Sequence, residues 1–323
     1  LYLNSYRNFG ELMNKVIFLS LTLIMFSSIA YSQQNTFDFL RLDGSARAGA
    51  LGGSFVSNDD DPDVIFYNPA GIKLLEGSPA SFSFVKHLMD INLASLAYSA
   101  QFEGIGRFAA AIKYINYGNF EGADESGNKT GDFGAGEMAF VIGYANQLDD
   151  NFYYGANAKF IYSGIESRSS TALAVDLGLH YAIPDKNWSF GFSVMNLGGQ
   201  VSKYYTTSED LPLDISVGVS KRLENLPLRL SLDFHKLNEK RDDFADKFKA
   251  FNVGAEFTLS KVMKLRFGYN NERRTEFKIG TTAGIAGFNV GLGVKVSDYQ
   301  FDYGFSSLGS VGGLHRIGIS TSI

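Results

Sequence analysis

From residue 79 onward, apolar and polar positions alternate with period two, and no helical repeat persists beyond residue 78. Met138, Phe140, Ile142 and Tyr144 alternate with Glu137, Ala139, Val141 and Gly143. Leu228, Leu230, Leu232 and Phe234 alternate with Arg229, Ser231, Asp233 and His235. Each pattern gives a strand one apolar face and one polar or small face. The alternation predicts fourteen strands, at 79–87, 91–102, 106–117, 135–147, 152–163, 171–183, 187–197, 212–222, 227–237, 249–260, 263–271, 286–297, 299–307 and 313–323. Their lengths approach the roughly 9–11 residues that cross a bilayer at a tilt, whereas soluble strands average about five or six.

The connections sort by parity. Even-numbered strands lead into short turns at 103–105, 148–151, 184–186, 223–226, 261–262 and 298. Odd-numbered strands lead into longer loops at 118–134, 164–170, 198–211, 238–248, 272–285 and 308–312, with 88–90 as the exception. This predicts an all-β fold: residues 79–323 form a fourteen-stranded antiparallel transmembrane β-barrel of a Gram-negative outer membrane, with periplasmic turns and extracellular loops. A charge facing mid-bilayer costs about 2–4 kcal/mol, so Lys113, Lys159, Asp176, Arg229, Asp233 and Arg266 are expected to point inward.

Two segments precede the barrel. Lys15, the apolar run Val16 to Phe26 and Ala30-Tyr31-Ser32 read as a secretory signal peptide, so residues 1–32, with the upstream extension, are set apart from the fold. Residues 33–78 are rich in small residues, including Gly44, Gly49, Gly52 and Gly53, and carry the turn Asn68-Pro69-Ala70-Gly71. A lumen ringed by fourteen strands is too wide for wall side chains to fill. The segment is therefore expected to be a hatch inside the lumen.

Composition removes several classes. There is no cysteine among 323 residues, which excludes disulfides, thiol catalysis and zinc–thiolate sites. A net charge of -5 argues against a nucleic-acid partner, which calls for a basic face. Mean hydropathy of -0.05 with 14% aromatic residues suits neither a helical membrane bundle nor a disordered chain.

The run SARAGALGGSFVSNDDDPDVIFYNPAGI resembles the hatch of the FadL-like outer-membrane barrels of the PorV/PorQ family, where Asn68, Pro69 and Ala70 match the hatch motif. The resemblance continues through INYGNFEGADESGNKTGDFGAGE, YGANAKFIYSGIESRSSTALAVDLGLHY, LPLDISVGVSKRLENLPLRLSLDFHKL, RFGYNNERR and LGSVGGLHRIGIS, spanning residues 37–323. It implies a non-enzymatic component of the type IX secretion system of Bacteroidota. Such a barrel would anchor a PorZ-type surface β-propeller protein beside the sortase attachment complex of PorU and PorV. The alternative it implies is a FadL-like passive transporter of hydrophobic molecules.

Candidate chemistry is sparse, and no cofactor or metal is expected. Ser231, Asp233 and His235 share one strand face, but such neighbours stand about 7 Å apart and read as polar lumen wall. Asn58, Asp59, Asp60, Asp61 and Asp63 offer oxygens for a hard cation but lack an EF-hand spacing, and are expected to form a solvated turn. Arg273 and Arg274 are candidates for lipopolysaccharide phosphate, beside the contacts with outer-membrane lipid. Function on a scaffold fold sits on loops, which makes Phe120, Phe133, Tyr204, Tyr205 and Phe244 the candidate partner-docking residues.

Overall fold

A computed structural model describes residues 37–241, 243–278 and 284–322. The signal-peptide expectation lies outside the described residues. Fourteen strands close into one antiparallel barrel in sequence order. They are β1 (Pro79–Lys86), β2 (Asn92–Phe102), β3 (Gly106–Ala123), β4 (Lys129–Asp149), β5 (Phe152–Ile165), β6 (Arg168–Ile183) and β7 (Trp188–Ser202). There follow β8 (Asp214–Arg222), β9 (Leu228–Phe234), β10 (Phe251–Thr258), β11 (Met263–Asn270), β12 (Phe288–Val296), β13 (Tyr299–Ser307) and β14 (Gly313–Ser322). β14 closes on β1, with Phe82 opposite Ile319. Among the described residues no helix is long and apolar enough to cross a membrane.

The period-two pattern dictates the faces. Along β6, buried and exposed positions alternate, with Leu173, Val175, Leu177 and Leu179 outward and Ala174, Asp176 and His180 inward. Lys113, Lys159, Asp176, Asp233 and Arg266 are buried inward as expected, and the Arg229 side chain is nearly so.

The rims differ from expectation in two places. Residues 118–134 are mostly strand, because β3 and β4 continue as a hairpin closed by a turn at 124–128. A stacked Phe120–Phe133 pair and the Glu121–Lys129 ion pair bridge the two strands in this stretch. The expected loop 164–170 shrinks to two residues between β5 and β6. Among the described residues, the long connections after β7, β9 and β11 lie on one rim, together with the hairpin tip, and the opposite rim carries short turns.

Before β1, a short helix α1 (Ala46–Ala50) is followed by 3₁₀ turns at Pro62–Phe66 and Pro69–Leu74. The Ser45 side chain caps α1 by accepting from the Ala48 amide, and Asp61 and Asn68 cap the two turns in the same way. Most residues from 44 to 65 are buried.

Candidate functional site

The N-terminal segment rests on the inward positions of strand after strand, and glycine makes room for it there. A Cβ on Gly304 would lie 2.7 Å from the Ala46 carbonyl oxygen, and one on Gly291 would lie 2.4 Å from the Ala50 Cβ. Onward round the wall, a Cβ on Gly268 would sit 2.2 Å from the Gly52 nitrogen, and one on Gly191 would sit 2.1 Å from the Val56 oxygen. On Gly178 it would meet the Asn68 side chain at 2.1 Å, and on Gly155 the Pro69 carbonyl at 2.5 Å. These glycines pair across neighbouring strands, Gly291 with Gly304, Gly254 with Gly268, Gly191 with Gly218 and Gly155 with Gly178. The segment therefore runs along a glycine belt from β13 back to β5.

Polar contacts tie the same segment to the wall. Arg47 donates to both oxygens of Glu256, and Glu256 in turn accepts from Arg266, which reaches Asp302. Asp233 accepts from the Val56 amide at 2.7 Å, and Asn157 donates to the Ile65 carbonyl at 3.0 Å. Lys113 donates to the carbonyls of Leu40 and Leu42. Buried charges are retained where each has a partner.

The acidic run is not a solvated turn. Asp59 meets Arg222 at 2.6 Å and Arg229 at 3.1 Å, and Asp60 meets Arg47 at 3.0 Å. Asp61 and Asp63 are buried, Asp61 beside Arg47 and Asp63 accepting from the Ser81 hydroxyl. Arginine side chains thus meet three of these carboxylates. Arg273 likewise pairs with Asp43 at 3.3 Å.

Ser231, Asp233 and His235 do not act together. Ser231 faces the Gly254 carbonyl, Asp233 holds the Val56 amide, and the His235 ring contacts Ser216 at 2.9 Å. Ser216 also donates to Asp214, whose other carboxylate oxygen lies 3.7 Å from the same His235 Nδ1. A nucleophilic triad requires the histidine to meet acid and serine through different ring nitrogens, whereas here Nδ1 faces both. His235, Lys113, Lys159, Asp214 and Arg273 border a polar cavity of about 340 Å³ between the segment and the wall.

The expected docking residues divide. Phe120, Phe133 and Tyr204 converge on a groove of about 460 Å³ at the long-loop rim, completed by Phe37, Tyr117 and Ile165. Tyr205 lies apart under the Arg168 guanidinium, and Phe244 packs edge-on against Phe248 in the 235–250 connection. Asn68 of the hatch motif is buried; it donates to the carbonyls of Val56 and Leu179 and accepts from the Ala70 amide, while Pro69 and Ala70 start the turn over Gly155.

A model of the type IX secretion system membrane proteins PorP/SprF matches residues 129–320, more than half of the sequence. The chain belongs to that family. No curated relative matches the sequence significantly. Among solved structures, the toluene transporter TbuX of Ralstonia pickettii is 14% identical, with a TM-score of 0.58 over 88% of this chain and 98% of its own. The Pseudomonas putida toluene transporter TodX is also 14% identical, with a TM-score of 0.55 over 86% and 96%. A Pseudomonas aeruginosa FadL homologue is 9% identical, with a TM-score of 0.54 over 86% and 98%. At these identities the likeness shows a common barrel fold.

Neither Arg47 nor the glycine belt stands out from the strand alternation. The signals were present: a lone arginine in a run of small residues, and inward-register glycines recurring in consecutive strands.

Proposed function

We propose that this PorP/SprF-family member is a non-enzymatic scaffold of the type IX secretion system, set in the outer membrane of a Bacteroidota cell. Its residues 37–78 act as a fixed hatch, and its long-loop rim faces outward to hold a surface protein. The single observation that carries this reading is the hatch seat: backbone fitted against a glycine belt and tied by buried ion pairs suits a closed scaffold better than a gate. The resemblance to the PorV/PorQ family supports the finer assignment, with a PorZ-type β-propeller as the held partner and PorU and PorV as neighbours.

The test is affinity purification of the intact barrel from detergent-solubilised outer membrane after surface biotinylation. Co-purification of a biotinylated β-propeller protein supports the scaffold. A barrel that emerges alone, with a fatty acid or other hydrophobe detected by mass spectrometry, overturns it in favour of passive transport. Transport is favoured by one feature, the apolar groove at the rim. The charged side chains below, Arg47, Glu256, Arg266 and Lys159, are buried and count against an apolar path.

A further inference from the structure

The β3–β4 hairpin rises beyond its neighbours. β2 pairs with β3 only up to Asn116, and β5 pairs with β4 only from Ala135. Above those points, residues 120–123 and 129–133 pair with each other across the hairpin, and no other strand pairs with them among the described residues. In an antiparallel ladder alternate residues turn their N–H and C=O groups away from the partner strand, so both edges of this ribbon present unused backbone groups. Proteins that keep such an edge either blunt it or use it to add a strand.

Its chemistry narrows what can be added. Residues 118–134 carry four carboxylates, Glu121, Asp124, Glu125 and Asp132, against one lysine, Lys129, which is already paired with Glu121. A second copy of this ribbon would bring the same excess of negative charge and be repelled. The β4 edge adjoins the groove of about 460 Å³, where the Phe120 and Phe133 rings stack at 5.6 Å beside Tyr117, Ile165 and Tyr204. Glu137 borders the same groove. Backbone, charge and apolar surface thus converge on one place.

We propose that the free β4 edge of this hairpin is the docking element, and that it takes an extended segment of a secreted or surface protein in which lysine or arginine alternates with apolar side chains. The segment adds as a strand along residues 129–133. Its cations face the hairpin carboxylates, and one aromatic or branched side chain enters the groove between Phe133 and Tyr204. This rests on the scaffold reading and deepens it by naming the element and the chemistry of the partner.

Two measurements test it. In the first, the full barrel in lipid nanodiscs is titrated with a labelled ten-residue peptide in which Lys alternates with Val and Phe. A Glu-for-Lys counterpart and a backbone N-methylated version serve as comparisons. The expected result is at least tenfold weaker binding for both comparison peptides, binding that weakens as salt rises, and loss of binding when residues 119–133 are replaced by a two-residue turn. Phe120→Ala with Phe133→Ala, which leaves the hairpin length intact, is expected to weaken the Lys peptide tenfold. Equal binding of the Lys and Glu peptides, or unchanged binding to the shortened barrel, overturns the proposal.

In the second, a photo-crosslinking residue replaces Thr130 or, separately, Phe244 in living cells. A crosslink to the co-purifying surface protein from Thr130 supports the hairpin. A crosslink from Phe244 alone overturns the hairpin while leaving the scaffold reading standing. No crosslink and no co-purification overturn both.

Discussion

The Arg47 guanidinium donates to both oxygens of Glu256, Nε to Oε2 at 2.9 Å and Nη2 to Oε1 at 2.8 Å, across 209 residues of chain. Arg47 belongs to the N-terminal segment and Glu256 to β10, so this fork joins the two parts of the molecule. Both side chains are almost wholly buried, and Arg266 and Asp302 extend the network. Removing one member of such a pair strands the other charge, at a cost of about 3–5 kcal/mol. Arg47→Met and Glu256→Gln are each expected to lower the temperature at which the barrel unfolds in detergent gel-shift assays. The double variant is expected to lose less than the sum of the two.

The glycine belt makes a steric prediction. A Cβ on Gly268 would stand 2.2 Å from the Gly52 nitrogen and 2.4 Å from the Leu51 carbonyl carbon, both backbone atoms that no side-chain rotation can clear. Overpacking of this kind costs about 1–3 kcal/mol. Gly268→Ala should reduce the amount of folded barrel in the membrane. Gly199→Ala, on β7 with nothing within 4 Å of the new carbon, should not. Equal yields of the two would mean that the segment does not rest on the wall as described.

Much of this fold was legible in the sequence, because a barrel wall between lipid and a polar interior imposes period two on every strand. Met138 to Tyr144 and Leu228 to His235 announce their faces without help from the rest of the chain. The hairpin above the rim was not legible: beyond the wall, Asn119 to Gly134 needs no alternation, and the strand pattern stops there. The seat was hidden for another reason. A glycine at an inward position is ordinary in any one strand, and only the register that sets Gly254 beside Gly268 reveals a surface. The acidic run misled because its carboxylates find Arg222, Arg229 and Arg47, two of which are more than 160 residues away.

Asp61 gives the N-terminal segment a pH dependence. Burial and the neighbouring Asp63 carboxylate push it up to about 7, against the pull of Arg47. With the folded value above the unfolded 3.8, the folded protein holds the proton more tightly. The stability this supplies is fully present below pH 3.8 and is lost as pH rises through about 7. Asp61→Asn keeps an oxygen for the Asp63 amide and should flatten that part of the stability profile. A slope between pH 4 and 7 that the variant leaves unchanged would assign the titration to another group.

The most direct measurement asks whether the hatch moves while the protein works. The chain has no cysteine, and the Ala46 Cβ lies 3.1 Å from where a Cβ on Gly318 would stand, so the two backbones must part slightly to reach the roughly 3.5–4.5 Å that a disulfide spans. Ala46→Cys with Gly318→Cys would therefore staple the hatch to β14 under oxidising conditions. Delivery of secreted cargo to the cell surface is then compared before and after reduction, with each single-cysteine variant alongside. A fixed hatch predicts equal delivery in both states. Delivery that stops when the staple forms and resumes when it is reduced would contradict the scaffold account and make the lumen a working gate.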